Sequence, residues 1–246
     1  MTKYLTNNFS IINLHKNPSV KSEIVTQMIY GDSFSLKKKN KKWLKIKIRE
    51  DNYLGYVVKK NFSPYLKPSH KIAILKAKVY KFPNKRNKIC NLTFGSKIKV
   101  LDKKANFLKF EKGWISLEDV KPLSYKEKNF FNRIDIFKNI KYKWGGKSFK
   151  GIDCSALVQV FLNFHKKYCP RDAKDQVKYF RKNIKLKKIK KNDLIFWKGH
   201  VAIALSNKKL IHAYGPMKKT VIMGINQTIE RIKRTANLKV IGIKRL

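Results

Sequence analysis

The stretch Tyr142-Lys143-Trp144-Gly145-Gly146, followed by Gly151-Ile152-Asp153-Cys154-Ser155, places a single cysteine where a helix should begin. Asp153 suits the N-cap position, and apolar residues follow the cysteine at helical spacing, at Ala156, Leu157, Val160, Phe161 and Phe164. This pattern predicts an amphipathic helix that begins at Cys154. A thiol in the first turn of a helix lies beside unpaired N–H groups at the positive end of the helix dipole, which favours the thiolate. The stretch therefore predicts a nucleophilic cysteine.

Two histidines further along the chain are candidates for the base and for the group that orients it. His200 follows Gly199 at the start of one predicted strand, and His212 lies on the next, after a polar turn. Such a hairpin allows the two rings to lie side by side. A catalytic thiol needs a base within hydrogen-bond reach and a third group that fixes the tautomer of that base. We therefore predict Cys154, His200 and His212 as nucleophile, base and orienting residue.

The composition indicates a folded protein with an extreme positive charge. The chain has 246 residues, 43% of them hydrophobic, and a formal net charge of +44 at pH 7. This length favours two or three domains. Such a charge usually suggests nucleic acid or an anionic membrane as partner, but the positive residues are mainly lysines spread over the whole chain. We interpret the excess as a codon bias and expect no specific nucleic acid and no membrane partner; a basic face for a polyanion is the alternative.

The cysteines and the N-terminal residues are the basis for predictions about cofactors and cellular location. Cys90, Cys154 and Cys169 are the only cysteines, and they form neither a disulfide framework nor a Cys-x-x-Cys metal motif. We therefore expect no metal and no cofactor. No signal peptide and no stretch of transmembrane length is visible. A cytoplasmic protein with reduced thiols is the simplest expectation, and the sequence does not indicate its oligomeric state.

The first half of the chain repeats itself. Gly31–Leu36 resembles Gly95–Val100, and Trp43–Ile46 resembles Phe107–Phe110, in both cases at an offset of 64 residues. A shared offset across separate blocks indicates two copies of one module. Apolar and polar residues alternate within the blocks, which predicts short strands. Several short strands in so few residues favour a small barrel in each copy.

The first copy resembles a bacterial SH3 (SH3b) domain. The resemblance rests on Asn13–Ser19, on Gly31, on Trp43 and on Gly55-Tyr56-Val57, and the second copy, opening at Val79–Asn84, is a weaker match. We therefore predict one SH3b domain over residues 1–65 and a second over residues 66–124. Residues 125–246 form the remaining domain.

In this last part the pattern predicts a mixture of helices and strands. A helix is expected over residues 125–140, a second at Cys154 and a short third within residues 173–183. Strands are expected near residues 194–197, 200–205 and 210–214, and again near 220–223 and 240–244, with a helix or loop between the last two.

The same part resembles the NlpC/P60 cysteine peptidases, a branch of the papain-like fold. The matching motifs are Tyr142-x-Trp144-Gly145-Gly146, Asp153-Cys154-Ser155, Asp193–Trp197, Gly199–Ile203 and Ile211-His212-Ala213. The resemblance implies an α+β papain-like catalytic domain behind two small all-β SH3b barrels. It also implies that the cysteine attacks a peptide carbonyl, that the first histidine is the base and that no metal takes part. Tyr142 is implied to help stabilise the oxyanion together with the Cys154 backbone N–H.

This chain departs from the family pattern at two positions. Ala156 stands where the family usually has glycine, and since alanine is the better helix former we expect little harm. Arg171-Asp172-Ala173 corresponds to an Arg-Asp/Asn-Ser segment of the family. Ala173 lacks the hydroxyl of that serine, which puts the polar contacts to substrate there in doubt.

SH3b modules ahead of such a domain resemble the layout of γ-D-glutamyl-L-diamino acid endopeptidases, which trim cell-wall peptides inside the cell. The resemblance implies hydrolysis of the γ-D-Glu–diamino acid bond in murein tripeptides or tetrapeptides that have a free N-terminal L-Ala. It implies substrate contacts from both parts of the chain, at Asp153, Ser155, Trp144, Arg171, Asp172, Asp32 and Tyr56. Asp153 and Ser155 would bind near the substrate ammonium, and Asp32 would be the acid and Tyr56 the tyrosine of the first SH3b domain.

Two other functions stay open at the level of sequence. A secreted or phage-borne peptidoglycan hydrolase would act on intact murein, with the SH3b modules as wall anchors, and the missing signal peptide counts against it. A non-enzymatic protein that binds a polyanion or the cell wall would use the basic surface instead. The intact set of Cys154, His200 and His212 counts against this second alternative.

Overall fold

The computed structural model describes residues 4–246, and the chain divides into two compact units. Unit 1 comprises the chain up to Lys126 together with the short segment Lys147–Phe149, and unit 2 comprises Glu127–Gly146 and Lys150–Leu246. Within residues 4–246, no helix is both long and apolar enough to cross a bilayer.

The first half of unit 1 is a seven-stranded antiparallel sheet with the strand order β3-β2-β6-β5-β4-β1-β7. Its strands are β1 (Tyr4–Thr6), β2 (Ile11–His15), β3 (Ile24–Ile29), β4 (Ser33–Lys39), β5 (Trp43–Ile48), β6 (Leu54–Val58) and β7 (Ser63–Pro64). Alternate residues of β5 point inward, as its period-two pattern predicts. The buried side chains form one apolar core around Leu14, Phe34, Ile46 and Val57.

The second half of unit 1 has a five-stranded sheet, β10-β9-β14-β13-β12, and a three-stranded sheet, β11-β8-β15. The strands are β8 (His70–Ile72), β9 (Lys76–Tyr80), β10 (Lys88–Thr93), β11 (Lys97–Ile98), β12 (Asp102–Lys104), β13 (Phe107–Phe110), β14 (Gly113–Ser116) and β15 (Val120–Pro122). A second apolar core lies around Val79, Leu92 and Ile115. The segment Lys147–Phe149 of unit 1 contains the two-residue strand β16 (Lys147–Ser148).

The two halves of unit 1 share one strand-pairing scheme. In the first half β1 pairs with β4 and β7, β2 pairs with β3 and β6, and β5 lies between β4 and β6. In the second half β8 pairs with β11 and β15, β9 pairs with β10 and β14, and β13 lies between β12 and β14. Gly31 and Gly95 open equivalent turns with φ of +83° and +81°. The sequence repeat therefore corresponds to a repeat of strand pairing and of turn geometry.

Four charged side chains form a largely buried quartet inside unit 1: Asp32, Glu50, Lys97 and Lys147. The Lys97 ammonium lies 2.5 Å from Glu50 Oε1 and 3.4 Å from Asp32 Oδ1, and Lys147 Nζ lies 3.7 Å from Asp32 Oδ2. Burial raises the pKa of Glu50, whereas Glu50 and Asp32 together raise the pKa of Lys97 in spite of its burial. Two positive and two negative groups therefore balance one another where water is largely excluded.

Unit 2 contains one antiparallel sheet with the order β18-β23-β19-β20-β21-β22. Its helices are α1 (Cys154–Phe164), α2 (Ala173–Tyr179) and α3 (Ile225–Ala236), and its strands are β17 (Gly151–Ile152), β18 (Lys182–Asn183), β19 (Leu194–Trp197), β20 (His200–Ala204), β21 (Lys209–Tyr214), β22 (Lys219–Gly224) and β23 (Gly242–Arg245). Helix α1 is buried along nearly its whole length and lies against β20 and β21. The structure thus confirms the predicted cysteine helix and the predicted histidine hairpin.

The predicted helix over residues 125–140 is wrong. This segment forms turns and a single 3-10 turn at Ile134–Phe137. Phe131, Ile134 and Phe137 are buried at spacings of three residues. A 3-10 turn places residues three apart on one face, as an α-helix also does. The Asn129 side chain accepts a hydrogen bond from the Phe131 N–H, and Asn139 has a φ of +65°. Both asparagines thus favour turn geometry over helix, and the apolar spacing alone did not reveal this.

Candidate active site

Cys154 is the first residue of α1, and the backbone around it is held by local capping. Asp153 is the N-cap, and its carboxylate accepts a hydrogen bond from the Ala156 N–H at 2.8 Å. The Cys154 sulfur accepts hydrogen bonds from the backbone N–H groups of Ser155 and Val201. Val201 directly follows His200 on β20, so the start of that strand lies against the sulfur. The predicted nucleophile and the strand of the predicted base are therefore adjacent.

His200 and His212 lie on adjacent strands and contact each other directly. His200 Nε2 is 2.9 Å from His212 Nδ1, and the His212 ring stacks on Tyr214 with a centroid distance of 4.6 Å. Burial lowers the pKa of His200 to about 4 and, together with the charge of His200, lowers that of His212 to about 2. Both rings are therefore neutral at neutral pH, and each can hold one ring proton.

The environment of the sulfur corrects the prediction of a resting thiolate. Burial, followed by the negative charge of Asp153, raises the pKa of the Cys154 thiol to about 12. The Val201 and Ser155 N–H groups and Arg171 act in the opposite direction and are outweighed. The sequence revealed the helix N-terminus but not the depth of burial. At rest the site therefore holds a neutral thiol and two neutral imidazoles, so Cys154 needs a base to take its proton if it is to act as a nucleophile.

This raised pKa predicts how Cys154 reacts with iodoacetamide. Because the thiolate is the reactive form, the alkylation rate of the folded protein should keep rising with pH and should not level off below about pH 9. The rate is measured by mass spectrometry of the Cys154 peptide, with Cys154→Ala as the control for Cys90 and Cys169. A rate that is already constant between about pH 5 and pH 7 would mean that the resting residue is a thiolate.

Tyr142 lies close enough to Cys154 and Asp153 for charges on these residues to affect its pKa. Burial raises the pKa of Tyr142, and the negative charge that Cys154 carries once its thiol is ionised, followed by that of Asp153, raises it further. The tyrosine ring also lies against Gly215, where an added Cβ would be 3.6 Å from the ring. The hydroxyl therefore stays protonated and can act as a hydrogen-bond donor near the sulfur, as the implied oxyanion role requires.

Asp153, Ser155 and Arg171, all predicted substrate contacts, bind one another. Arg171 donates to both carboxylate oxygens of Asp153 at 3.0 Å and 2.6 Å and to Ser155 Oγ at 2.9 Å. Asp153 also accepts from the Gly145 N–H at 2.9 Å. The Arg171 side chain is 1% exposed. This buried pair therefore fixes the turn before the cysteine to the first turn of α1.

Gln176, the glutamine that follows the Arg171-Asp172-Ala173 segment, has a side chain that holds the backbone at the start of α1. Its Nε2 donates to the backbone oxygens of Ser155 and Pro170, both at 2.9 Å. The side chain is fully buried, and its Oε1 has no hydrogen-bond partner. Gln176 thus joins the first turn of α1 to the segment ahead of α2.

The other predicted substrate contacts have varied surroundings. Trp144 is 59% exposed beside the buried Gly145, and Asp172 is the half-buried N-cap of α2. In unit 1, the Asp32 carboxylate belongs to the charged quartet and accepts from the Ile29 N–H at 3.0 Å. Tyr56 is half-buried on β6 with Lys45 Nζ 5.6 Å from its ring centre. The substrate contacts of all four stay predictions.

No group of three or more His, Cys, Asp or Glu side chains within residues 4–246 is placed to hold a metal ion.

Two regions of the chain match known families. Residues 139–234 match the NlpC/P60 family, and residues 14–61 match the bacterial dipeptidyl-peptidase SH3 domain. The first region contains Tyr142, Cys154, His200 and His212. The described site therefore lies wholly inside the part of the chain that matches the peptidase family.

Individual proteins are similar over stretches of different length. A gamma-D-glutamyl-L-lysine dipeptidyl-peptidase of Bacillus subtilis is 25% identical over 231 residues, which cover 84% of this chain and 77% of that protein. Dipeptidyl-peptidase 6 of Lysinibacillus sphaericus is 39% identical over 72 residues, 29% of this chain and 27% of that protein. The crystal structure of an NlpC/P60 family protein from Bacillus cereus superposes with a TM-score of 0.84 at 18% identity, over 98% of this chain and 99% of that chain.

The structural likeness shows a shared fold, and the family matches assign its parts. The fold includes a papain-like NlpC/P60 domain and an SH3 domain. The chain therefore contains an NlpC/P60 domain, the domain of a cysteine peptidase family, with a bacterial SH3 domain ahead of it, and both the domain and the names of the similar dipeptidyl-peptidases support a hydrolase.

Proposed function

We propose that this protein is a cell-wall peptidase that hydrolyses the γ-D-Glu–diamino acid bond of murein tripeptides or tetrapeptides with a free N-terminal L-Ala. The observation that carries the chemistry is the 2.9 Å contact between His200 and His212, beside a cysteine at the start of a buried helix. The name of the Bacillus subtilis relative, a gamma-D-glutamyl-L-lysine dipeptidyl-peptidase, supports the choice of bond.

The arrangement supports amide hydrolysis through a thioester. His200 takes the thiol proton at the ring nitrogen that does not face His212, while the sulfur bonds to the γ-carbonyl carbon of D-Glu. The carbonyl oxygen becomes an oxyanion, for which the Cys154 N–H and the Tyr142 hydroxyl are the proposed donors. The tetrahedral intermediate collapses, and protonated His200 gives its proton to the leaving amine. Water then attacks the thioester with His200 as base, which releases the dipeptide acid and restores the thiol.

The charge of the chain suits this class of substrate. The diaminopimelate tripeptide carries three carboxylates and two ammonium groups and is therefore anionic, whereas the formal net charge of the protein is +44 at pH 7. A positive field of this kind raises the local concentration of an anionic substrate and speeds its association. We therefore expect the association rate with the peptide to fall as the salt concentration rises.

We also propose that unit 1 consists of two SH3b domains, with boundaries near residues 1–65 and 66–124, followed by the peptidase domain from residue 125. The family match covers only the first copy. The shared strand pairing, the equivalent glycine turns at Gly31 and Gly95 and the two separate apolar cores support the second copy.

The proposed function is tested by hydrolysis of L-Ala-γ-D-Glu-L-Lys and of the corresponding diaminopimelate peptide. We expect cleavage after D-Glu by the wild type, none by Cys154→Ala, and much slower cleavage of N-acetylated copies of both peptides. Equal cleavage of the acetylated peptides would indicate a hydrolase of intact murein instead. If a folded wild-type protein cleaved no peptide, the proposed activity would be wrong, and a non-enzymatic binding protein would be the better account.

The cytoplasmic location stays a proposal from the sequence alone. Fractionation of cells that produce the natural protein tests it, and recovery of the protein from the culture medium or the cell wall would contradict it.

A further inference from the structure

We propose that Met223 is a positioning residue that sets the proton arrangement of the His200–His212 pair. His212 uses both ring nitrogens: Nδ1 lies 2.9 Å from His200 Nε2, and Nε2 lies 3.5 Å from Met223 Sδ. This inference deepens the proposed peptidase mechanism and rests on it. It concerns the step before catalysis, in which the base must present a lone pair to the thiol.

The two neutral rings allow two proton arrangements. In the first, His200 Nε2–H donates to His212 Nδ1, and the second proton of the pair is on His212 Nε2. In the second, His212 Nδ1–H donates to His200 Nε2, and the second proton is on His200 Nδ1. The first arrangement leaves a lone pair on His200 Nδ1 and makes His200 a competent base. The second blocks that nitrogen with a proton, so His200 cannot accept the proton of the thiol.

The thioether of Met223 distinguishes between the two arrangements. A thioether sulfur can accept a hydrogen bond, weakly, but has no proton to donate. In the first arrangement His212 Nε2–H points at this sulfur and forms a hydrogen bond. In the second arrangement a nitrogen lone pair would face a sulfur lone pair with no hydrogen between them. Met223 therefore favours the arrangement in which His200 is a base.

The sheet holds the three side chains in this relation. His212 is opposite Val221 in the β21–β22 register, so Met223 is its diagonal neighbour on the same face of the sheet. The His212 ring is fully buried and lies parallel to the Tyr214 ring, with an angle of 10° between their planes. A ring fixed in this way cannot turn to exchange its two nitrogens without breaking the stack and both contacts.

Nitrogen-15 NMR of histidine-labelled wild-type protein tests the proposal without any substrate. We expect His212 to carry its proton on Nε2 and His200 to carry its proton on Nε2, with both Nδ1 atoms unprotonated. The rings are assigned by the loss of signals in His200→Ala and His212→Ala. A proton on His212 Nδ1 in the wild type would overturn the proposal.

Two substitutions separate tautomer control from packing. Met223→Leu keeps the apolar volume but removes the acceptor, whereas Met223→Glu, measured at a pH where its carboxyl is ionised, restores an acceptor that cannot donate. We expect the share of protein that carries the proton on His212 Nε2, read from the nitrogen-15 signals, to fall by about twofold or more in Met223→Leu and to return toward the wild-type share in Met223→Glu. A role in packing alone would give the opposite order, with leucine the better replacement, and that order would overturn the proposal.

Neither measurement uses a peptide, so their outcomes are separate from that of the proposed function. A protein with the expected proton arrangement that cleaved no murein peptide would keep this inference and lose the proposed substrate. A protein that cleaved the peptide with His212 Nδ1 protonated would keep the substrate and lose this inference.

Discussion

Replacement of His200 by alanine is expected to lower kcat/KM for peptide hydrolysis by about 10³–10⁴-fold. The Cys154 thiol is protonated at rest, because burial raises its pKa to about 12. Without His200 the proposed base for that proton is lost. The measurement is the steady-state hydrolysis of the free-amine tripeptide, with circular dichroism to show that the variant is folded.

His70→Ala is the matched control, since it removes a histidine from unit 1 and should leave kcat/KM within about twofold of wild type. A loss of less than about tenfold in His200→Ala would contradict the assignment of His200 as the base. If the Cys154 thiol were already ionised, hydrolysis would depend less on His200. The same comparison therefore also tests whether the thiol is neutral at rest.

Replacement of Arg171 by leucine is expected to lower the free energy of unfolding by about 3–5 kcal/mol, because it leaves the buried Asp153 carboxylate without its positive partner. Arg171 donates to both oxygens of that carboxylate, and its side chain is 1% exposed. Hydrolysis should be lost as well, since Asp153 caps the helix that begins at Cys154. Urea unfolding monitored by tryptophan fluorescence measures the change.

The exposed Arg181 provides the control, and Arg181→Leu should change the free energy of unfolding by less than about 0.5 kcal/mol. In the double variant Asp153→Asn with Arg171→Leu, the total loss of unfolding free energy should be much smaller than the sum of the losses in the two single variants. A loss below about 1 kcal/mol in Arg171→Leu would mean that the pair does not stabilise the cysteine turn.

The predictions that succeeded depend on local signals. Asp153 before an apolar helical stripe predicted both the start of α1 and its N-cap, and the structure confirms them. The turn between two alternating segments predicted that His200 and His212 would be neighbours, and they lie 2.9 Å apart. In each case residues close in the sequence determine the geometry, so the pattern was sufficient.

The features that the sequence did not reveal depend on contacts between distant residues. Arg171 and Asp153 were each singled out as substrate contacts, but nothing in their types or spacing indicates that they pair with each other. The Met223 sulfur reaches His212 only because of the β21–β22 register. The pKa of Cys154 depends on how deeply the fold buries the sulfur, and this overrides the helix dipole. Burial and pairing of this kind come from the tertiary fold.

The central claim is that Cys154 attacks the γ-D-Glu carbonyl and forms a thioester. The most direct measurement is the intact mass of the protein quenched in acid during turnover of L-Ala-γ-D-Glu-L-Lys, followed by peptide mapping. The account predicts an increase equal to one L-Ala-γ-D-Glu acyl group, located on Cys154 and absent from Cys154→Ala, which also fails to cleave the peptide. An acyl group on another residue, or cleavage by Cys154→Ala at the wild-type rate, would contradict the account.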